Sequence, residues 1–485
     1  MILRRLFQLA CASLWFAVCA QGEVNLWPVY VGRTGEPPGP EKSTQYLGPL
    51  FFQQSIGPTE IQGFRPLFMT THTGNVTDSN IIYPLFNWHR EPGYSSFSFF
   101  HLIEHRSNDG GTAKPSDGFD FWPIYFSRNT GNPATSYKAF FPFGGTIRNR
   151  LSHDSISFVA WPFYMQTQKG DRRVTHTPWP IMRVYTGPGY DGFELWPLFG
   201  RNRHAGDYDH RFVLWPLFYR DKDDLSTPEP GLRLGVLPFY ARSTGAGYRS
   251  ETFVWPFFGY THRTRPDTYD EQRLLWPFLV QGRGSERMVN RWAPIYTHSV
   301  VKGVDKTWYL WPLYRHQSWD DNGIHQVKDQ VLFRVYWSLE QRSLTNPAAA
   351  PARKTHLWPL FSAWDNGAGS RQVQALSPFE PFFQQNTRMR RLWTPLFALY
   401  QYDRQPDAAV RHAFLWSTIT YRHSPEAKEF HLGPLFDAER NATGQRWSLI
   451  CGLFGFRRPA GGGWHPFLFD FHMKADNKAS SAPSP

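Results

Sequence analysis

His101-Leu102-Ile103-Glu104-His105 has the H-x-x-E-H spacing of the inverted zincins. Zinc hydrolysis from that spacing needs a helix, which places both imidazoles on one face. Here the motif runs on from Phe97-Ser98-Phe99-Phe100, an apolar stretch of strand character. On an extended chain Glu104 points away from both histidines, so the expected role is an ordinary strand exit. Ser152-His153-Asp154 holds the residue types of a hydrolase triad. Triads are assembled by geometry and not by adjacency, so these three read as a turn. Asp221, Asp223 and Asp224 offer oxygen ligands for a hard cation but lack the spacing of a calcium loop, and they too read as a solvated turn. No carboxylate pair for glycoside chemistry stands out. Asn75-Val76-Thr77 and Asn441-Ala442-Thr443 match the glycosylation sequon. The sequence therefore assigns no catalytic, metal or cofactor residues, and it points to a protein that is not an enzyme.

What dominates the chain instead is a repeated core, Trp-Pro-(Leu/Phe/Ile)-(Phe/Tyr). Its clearest copy is Leu214-Trp215-Pro216-Leu217-Phe218, inside the stretch His210 to Arg220. Others include Trp27-Pro28-Val29-Tyr30, Trp122-Pro123-Ile124-Tyr125, Trp255-Pro256-Phe257-Phe258 and Trp358-Pro359-Leu360-Phe361. Degraded copies surround Val335-Tyr336-Trp337, Trp393-Thr394-Pro395-Leu396-Phe397 and His465-Pro466-Phe467. About 24 copies at a mean spacing of roughly 19 residues are the mark of a repeat architecture. Aromatics make up 17% of the 485 residues, alongside 40 Pro and 39 Gly, which favours short strands and turns over helices.

The eight apolar residues Phe212 to Tyr219 have strand length, and the polar runs around Arg201, Arg220, Arg242 and Arg263 have turn character. Each unit then reads as one strand and one turn, apolar on both faces, with its tryptophan in the packing core. The recurrent proline marks a shared bend or ladder edge. The expected fold is all-β: about 24 short antiparallel strands, or about twelve hairpins, closed into a ring or wide barrel. Such a ring resembles, in architecture alone, the hairpin-petal arrangement called a β-flower. A propeller of four-stranded blades fits less well, because inner and outer strands of a blade differ while these units look alike.

Arg4-Arg5, the apolar run Leu6 to Val18 and Val18-x-Ala20 form a secretory signal peptide, residues 1–20, with cleavage after Ala20. The alternative is a lipoprotein at Cys19, against which Val18 directly before the cysteine counts. Residues 21–472 read as one repeat domain and 473–485 as a disordered polar tail. Cys451 is then the one mature cysteine, expected as a small buried hydrophobe. The net charge of +12 reads first as a solvated surface, with anionic lipid headgroups, lipopolysaccharide or nucleic acid as alternatives, and no Lys/Arg run is long enough to make nucleic acid the first choice. The expected protein is exported to the periplasm or cell envelope and binds a lipid-like or amphiphilic ligand in an apolar central cavity. Alternatives are an outer-membrane β-barrel for transport and a glycan-binding or glycan-active protein. The sequence does not fix the oligomeric state.

Overall fold

A computed structural model describes residues 23–34, 42–110, 115–383 and 386–470. The expected signal peptide with Cys19 and the expected disordered tail lie outside these residues. Among the described residues the fold is all-β but for one α-helix, with 45 strands in a single antiparallel sheet of successive hairpins. Among the described residues no strand pairing closes the sheet into a barrel.

The strand count is nearly twice the expected one, because each repeat contains two strands. Phe212 to Tyr219 is not one strand. Tyr208–Val213 ends inside it, Phe218–Asp223 begins inside it, and Leu214-Trp215-Pro216-Leu217 turns the chain between them. The register runs from Asp209 opposite Lys222 to Val213 opposite Phe218. The charged stretches expected as turns are the strands. Arg201-Asn202-Arg203 lies within Phe199–His204, and Arg242 to Gly245 within Tyr240–Gly245.

Proline explains why the aromatic core sits at the bend. It lacks the N–H that a ladder position needs. In the turn, Leu217 N–H donates to the Leu214 carbonyl at 2.8 Å, spanning the proline. The bond before Pro216 is cis, as in all ten Trp-Pro dipeptides of the chain, and a cis proline at the third position defines a type VI turn. At the opposite end of the hairpins the turns are short and polar. Gly303 there holds a φ of +76°, a conformation that glycine adopts without steric cost.

Two compact units divide the chain, residues 1–87 with 349–485, and residues 88–348. In the first, the expected repeat around Trp393 is instead helix α1, Thr387–Phe397. The Asn386 side chain caps it by accepting from Met389 N–H at 3.0 Å. Leu392 is fully buried against Phe52, Ile61 and Met69, so the helix covers one face of the N-terminal strands. No such covering segment was expected. Arg65 ties the two together, donating to the Arg391 carbonyl at 2.7 Å. Glu23 and Arg411 form a buried bidentate pair at 2.5 and 2.8 Å. Burial alone would raise the Glu23 carboxyl. The Arg411 guanidinium, with His431 and Arg33 behind it, outweighs burial and holds it down at about 2.

In the second unit Phe126, Tyr137, Ala139, Ile147 and Phe158 form a small core. Trp337, from a repeat without proline, lies on the strand Tyr336–Ser343 and is only 2% exposed. Glycines let rings and backbone approach across the sheet. A Cβ at Gly259 would stand 2.3 Å from the Glu251 carbonyl oxygen.

Candidate functional site: an aromatic edge

The Trp-Pro turns of the second unit all join an odd-numbered strand to the strand after it, so they collect along one edge of the sheet. Their side chains are not the packing core that the sequence suggests. Trp122, Trp215 and Trp311 are 54%, 48% and 56% exposed, and Phe143, Phe163, Phe239 and Ile295 are exposed beside them. The reason is position. A side chain at the tip of a turn has strand on only one side of it, whereas one at mid-strand has neighbours on both.

The tips are joined to one another. Trp215 N–H donates to the Pro197 carbonyl at 2.7 Å and Leu214 N–H to the Leu198 carbonyl at 2.6 Å. The same bond from a Trp N–H to the preceding proline carbonyl recurs at Trp161, Trp179, Trp255 and Trp311. Rings line up accordingly. Trp161 and Trp179 have centroids 5.4 Å apart, and Trp196 and Trp215 6.3 Å. Such ring pairs add about 0.5–1.5 kcal/mol each beyond their buried area. With two strands per repeat, successive tips are about 10 Å apart along the edge.

The apolar band is shallow. In Tyr208–Val213 only Phe212 and Val213 follow Arg211, and in Phe218–Asp223 only Phe218 and Tyr219 precede Arg220. Two strand residues and the turn make a band about 10 Å high. Beyond it this hairpin is mostly polar, with Asp209 bridging Arg201 and Arg211 at 3.3 and 2.7 Å.

The residues that the sequence singled out do not assemble. His101 sits in the turn Phe100-His101-Leu102 and Glu104 on Ile103–Asn108. Their Nδ1 and Oε1 atoms are 2.9 Å apart, so Glu104 does not face away from His101 as expected. Strand alternation starts only at Ile103 and does not govern His101. His105 turns to Asp117 at 3.0 Å instead. His153 Nδ1 contacts the Leu151 carbonyl, while Asp154 accepts from Gly170 N–H. Asp221 and Asp223 lie on a strand and not in a turn. Asp223 pairs with His210 at 2.7 Å, and Arg233 reaches both carboxylates. Cys451 is exposed at the tip following Gly444–Leu449, not buried, with a φ of +58°. Among the described residues no group of three or more His, Cys, Asp or Glu could hold a metal ion.

One cluster escaped the sequence reading altogether. His356, Ser362 and Ser377 form a hydroxyl–imidazole chain from Ser377 through Ser362 to His356 Nδ1. All three are at most 1% exposed, so no substrate reaches the hydroxyls. Burial, and then Lys354 and Arg390, push the imidazole down to about 3, which keeps it neutral. The three side chains form a buried polar network in the first unit. No local motif announces it, since its members come from separate segments.

The sequence matches no protein-family model and no curated protein.

Proposed function

We propose that this is a non-enzymatic, exported cell-envelope protein that seats its row of Trp-Pro turn tips in a lipid interface. The observation that carries the reading is the exposed edge of the second unit, where tip after tip presents Trp, Leu, Phe and Ile to solvent. Tryptophan suits the membrane–water boundary because its ring is apolar and its N–H is polar. The band is about 10 Å high, the depth to which interfacial segments sink. The net charge of +12 adds attraction to anionic headgroups.

A bilayer-spanning barrel fits less well. Most strands have six residues, about 20 Å, against the 9–11 residues that a transmembrane strand takes. A sugar-binding edge would need polar groups beside the rings to fix hydroxyls, and tips such as Trp255-Pro256-Phe257 have none. The test is co-sedimentation with phosphatidylcholine vesicles, with and without phosphatidylglycerol, together with quenching of tryptophan fluorescence by lipids brominated at the shallow acyl positions. Binding with shallow quenching is expected. Failure to bind either vesicle at low salt refutes the reading.

A further inference from the structure

In the second unit a cluster of arginines stands just behind the apolar edge, on one face of the sheet. The strand register sets Phe199, Val213 and Phe218 side by side on three neighbouring strands. Two residues further from the tips it sets Arg201, Arg211 and Arg220 side by side on the same strands. Cross-strand partners, and residues two apart on a strand, share a face, so all six point the same way. That face is open. Phe199, Val213 and Phe218 are exposed, and the Arg201 and Arg211 side chains are 46% and 52% exposed. Resting on the membrane reading above, we propose that Arg201, Arg211 and Arg220 bind the phosphate of an anionic lipid whose acyl end meets the tips beside them.

The charge on this face is unbalanced. Neighbouring strands lie ~4.8 Å apart, and like charges directly opposite each other are destabilising. Across the four strands from Tyr190–Leu195 to Phe218–Asp223, the face carries five cations: Arg201, Arg203, Arg211, Arg220 and Lys222. Against them stand two carboxylates, Asp191 and Asp209. Asp209 is fully engaged. Its two oxygens accept from Nε and Nη2 of Arg201 at 3.4 and 3.3 Å, and from the same nitrogens of Arg211 at 3.0 and 2.7 Å. Each of these guanidiniums keeps its Nη1 for another acceptor. Among the described residues Arg220 forms no ion pair, and its cross-strand neighbours are Arg211 and Leu234. A phosphate offers several acceptor oxygens from one centre and suits the planar fork of arginine. The cluster is also local. Past Arg242 the same level of the sheet continues as Glu251, Tyr260, Gln272, Gln281 and Asn290, without a further cation.

Depth selects a lipid as the source of the phosphate. Arg211 and Arg220 stand two residues, or ~7 Å, behind Val213 and Phe218, which adjoin the tip Leu214–Leu217. With the tips sunk to the acyl boundary, that is the level of the headgroups. The long arginine stem lets each guanidinium adjust its height there. A free anion would meet the arginines but gain nothing from the apolar row in front of them. A phospholipid engages both. The preference for anionic lipid then belongs to three residues rather than to the net charge as a whole.

The test is co-sedimentation of the full chain with phosphatidylcholine vesicles, with and without phosphatidylglycerol. It compares the native protein with Arg220→Gln, with Arg211→Gln/Arg220→Gln and with the control Arg283→Gln/Lys302→Gln. The control removes the same charge as the double variant, but at the polar hairpin ends. Those ends lie ~17–20 Å from the tips, beyond the Debye length of ~8 Å. A cation at headgroup depth is worth about fivefold in binding. On phosphatidylglycerol vesicles Arg220→Gln should lose about fivefold, the double variant about 25-fold and the control less than about twofold. On phosphatidylcholine alone all should bind as the native protein does. Arg220 is exposed and unpaired, so a native melting temperature for Arg220→Gln separates lost contact from lost fold. Equal losses in the control and the double variant overturn the local site and leave the membrane reading standing. No binding of the native protein to either vesicle overturns both. Saturable binding of inorganic phosphate without vesicles, lost in the double variant, overturns the assignment to a lipid.

Discussion

Two tryptophans separate the roles of strand and tip. Trp337 is 2% exposed and packs on the strand beneath Lys328, whose ammonium lies 5.2 Å from its ring centroid. A tryptophan buries about 150–250 Å². At ~25 cal/mol per Å² that is about 4–6 kcal/mol as an upper bound, in line with about 3–5 kcal/mol for deleting a core aromatic. Trp215 is 48% exposed, so about half that area is at stake in folding. Solvent fills the gap left at a tip, and a compact unfolded chain lowers the figure further. Trp215→Ala should therefore cost about 1–2 kcal/mol, against about 3–5 kcal/mol for Trp337→Ala. The membrane effect runs the other way. The exposed half of Trp215, ~75–125 Å², is worth about 2–3 kcal/mol when withdrawn from water, which is tenfold or more in partition. Urea midpoints read the first contrast, and vesicle co-sedimentation, under conditions where both variants are folded, reads the second. Equal stability losses would refute the placement of Trp215 at an exposed tip. A native partition coefficient for Trp215→Ala would refute its part in the lipid contact.

The Glu23–Arg411 pair sets an acid limit. A carboxyl held below its ordinary value adds stability that is fully present above the unfolded value of 4.5 and is lost as pH falls toward about 2. Unfolding followed by circular dichroism should show that loss between pH 4.5 and 2. Glu23→Gln should flatten it and should cost about 3–5 kcal/mol at neutral pH by leaving Arg411 buried without its partner. Gly259→Ala should destabilise by about 1–3 kcal/mol, because its Cβ meets the Glu251 carbonyl at 2.3 Å. Gly303→Ala, with open space around it but a φ of +76°, should cost only about 1 kcal/mol of backbone strain. Thermal melts that rank these two in reverse would contradict the crowding across the sheet.

The repeat, the β class and the hairpin connectivity are legible in the sequence, since aromatic cores, most of them centred on a proline, recur on average about every 19 residues and glycines punctuate the polar stretches. The assignment of strand and turn is inverted. An apolar run of eight residues ordinarily marks a buried strand, and Phe212 to Tyr219 meets that description. Its proline points the other way, and in this fold the proline decides. The apolar run bridges two strands across a bend, and the strands proper are the polar stretches beside it, such as Tyr208-Asp209-His210-Arg211. Those strands hold together through cross-strand pairs, as Asp209 with Arg201 and Arg211, and need no continuous apolar face. Trp337 shows the complement: its repeat lacks the proline, and its ring returns to the interior. Helix α1 was masked by Trp393-Thr394-Pro395, which imitates a repeat core. Its start signal was present in Asn386, a good N-cap before a run with few β-branched residues.

The way the tips are bonded bears on whether this edge can leave water. An apolar environment tolerates backbone only where its polar groups are paired. In Leu214–Leu217 the N–H groups of Leu214, Trp215 and Leu217 all donate within the sheet, and Pro216 has none to satisfy. The Leu217 carbonyl accepts from Leu237 N–H at 2.7 Å, carrying the ladder to the next tip. Proline thus does two things at once. It permits the bend, and it removes the one donor that the bend would otherwise leave facing outward. A turn built from Gly-Asn or Asp-Gly would also reverse the chain, but it would present unpaired amides and polar side chains at its apex. Choosing Trp-Pro repeatedly, where Asn-Gly suffices at the other hairpin ends of the same unit in Asn322-Gly323, is the pattern expected of an edge made to meet an apolar phase.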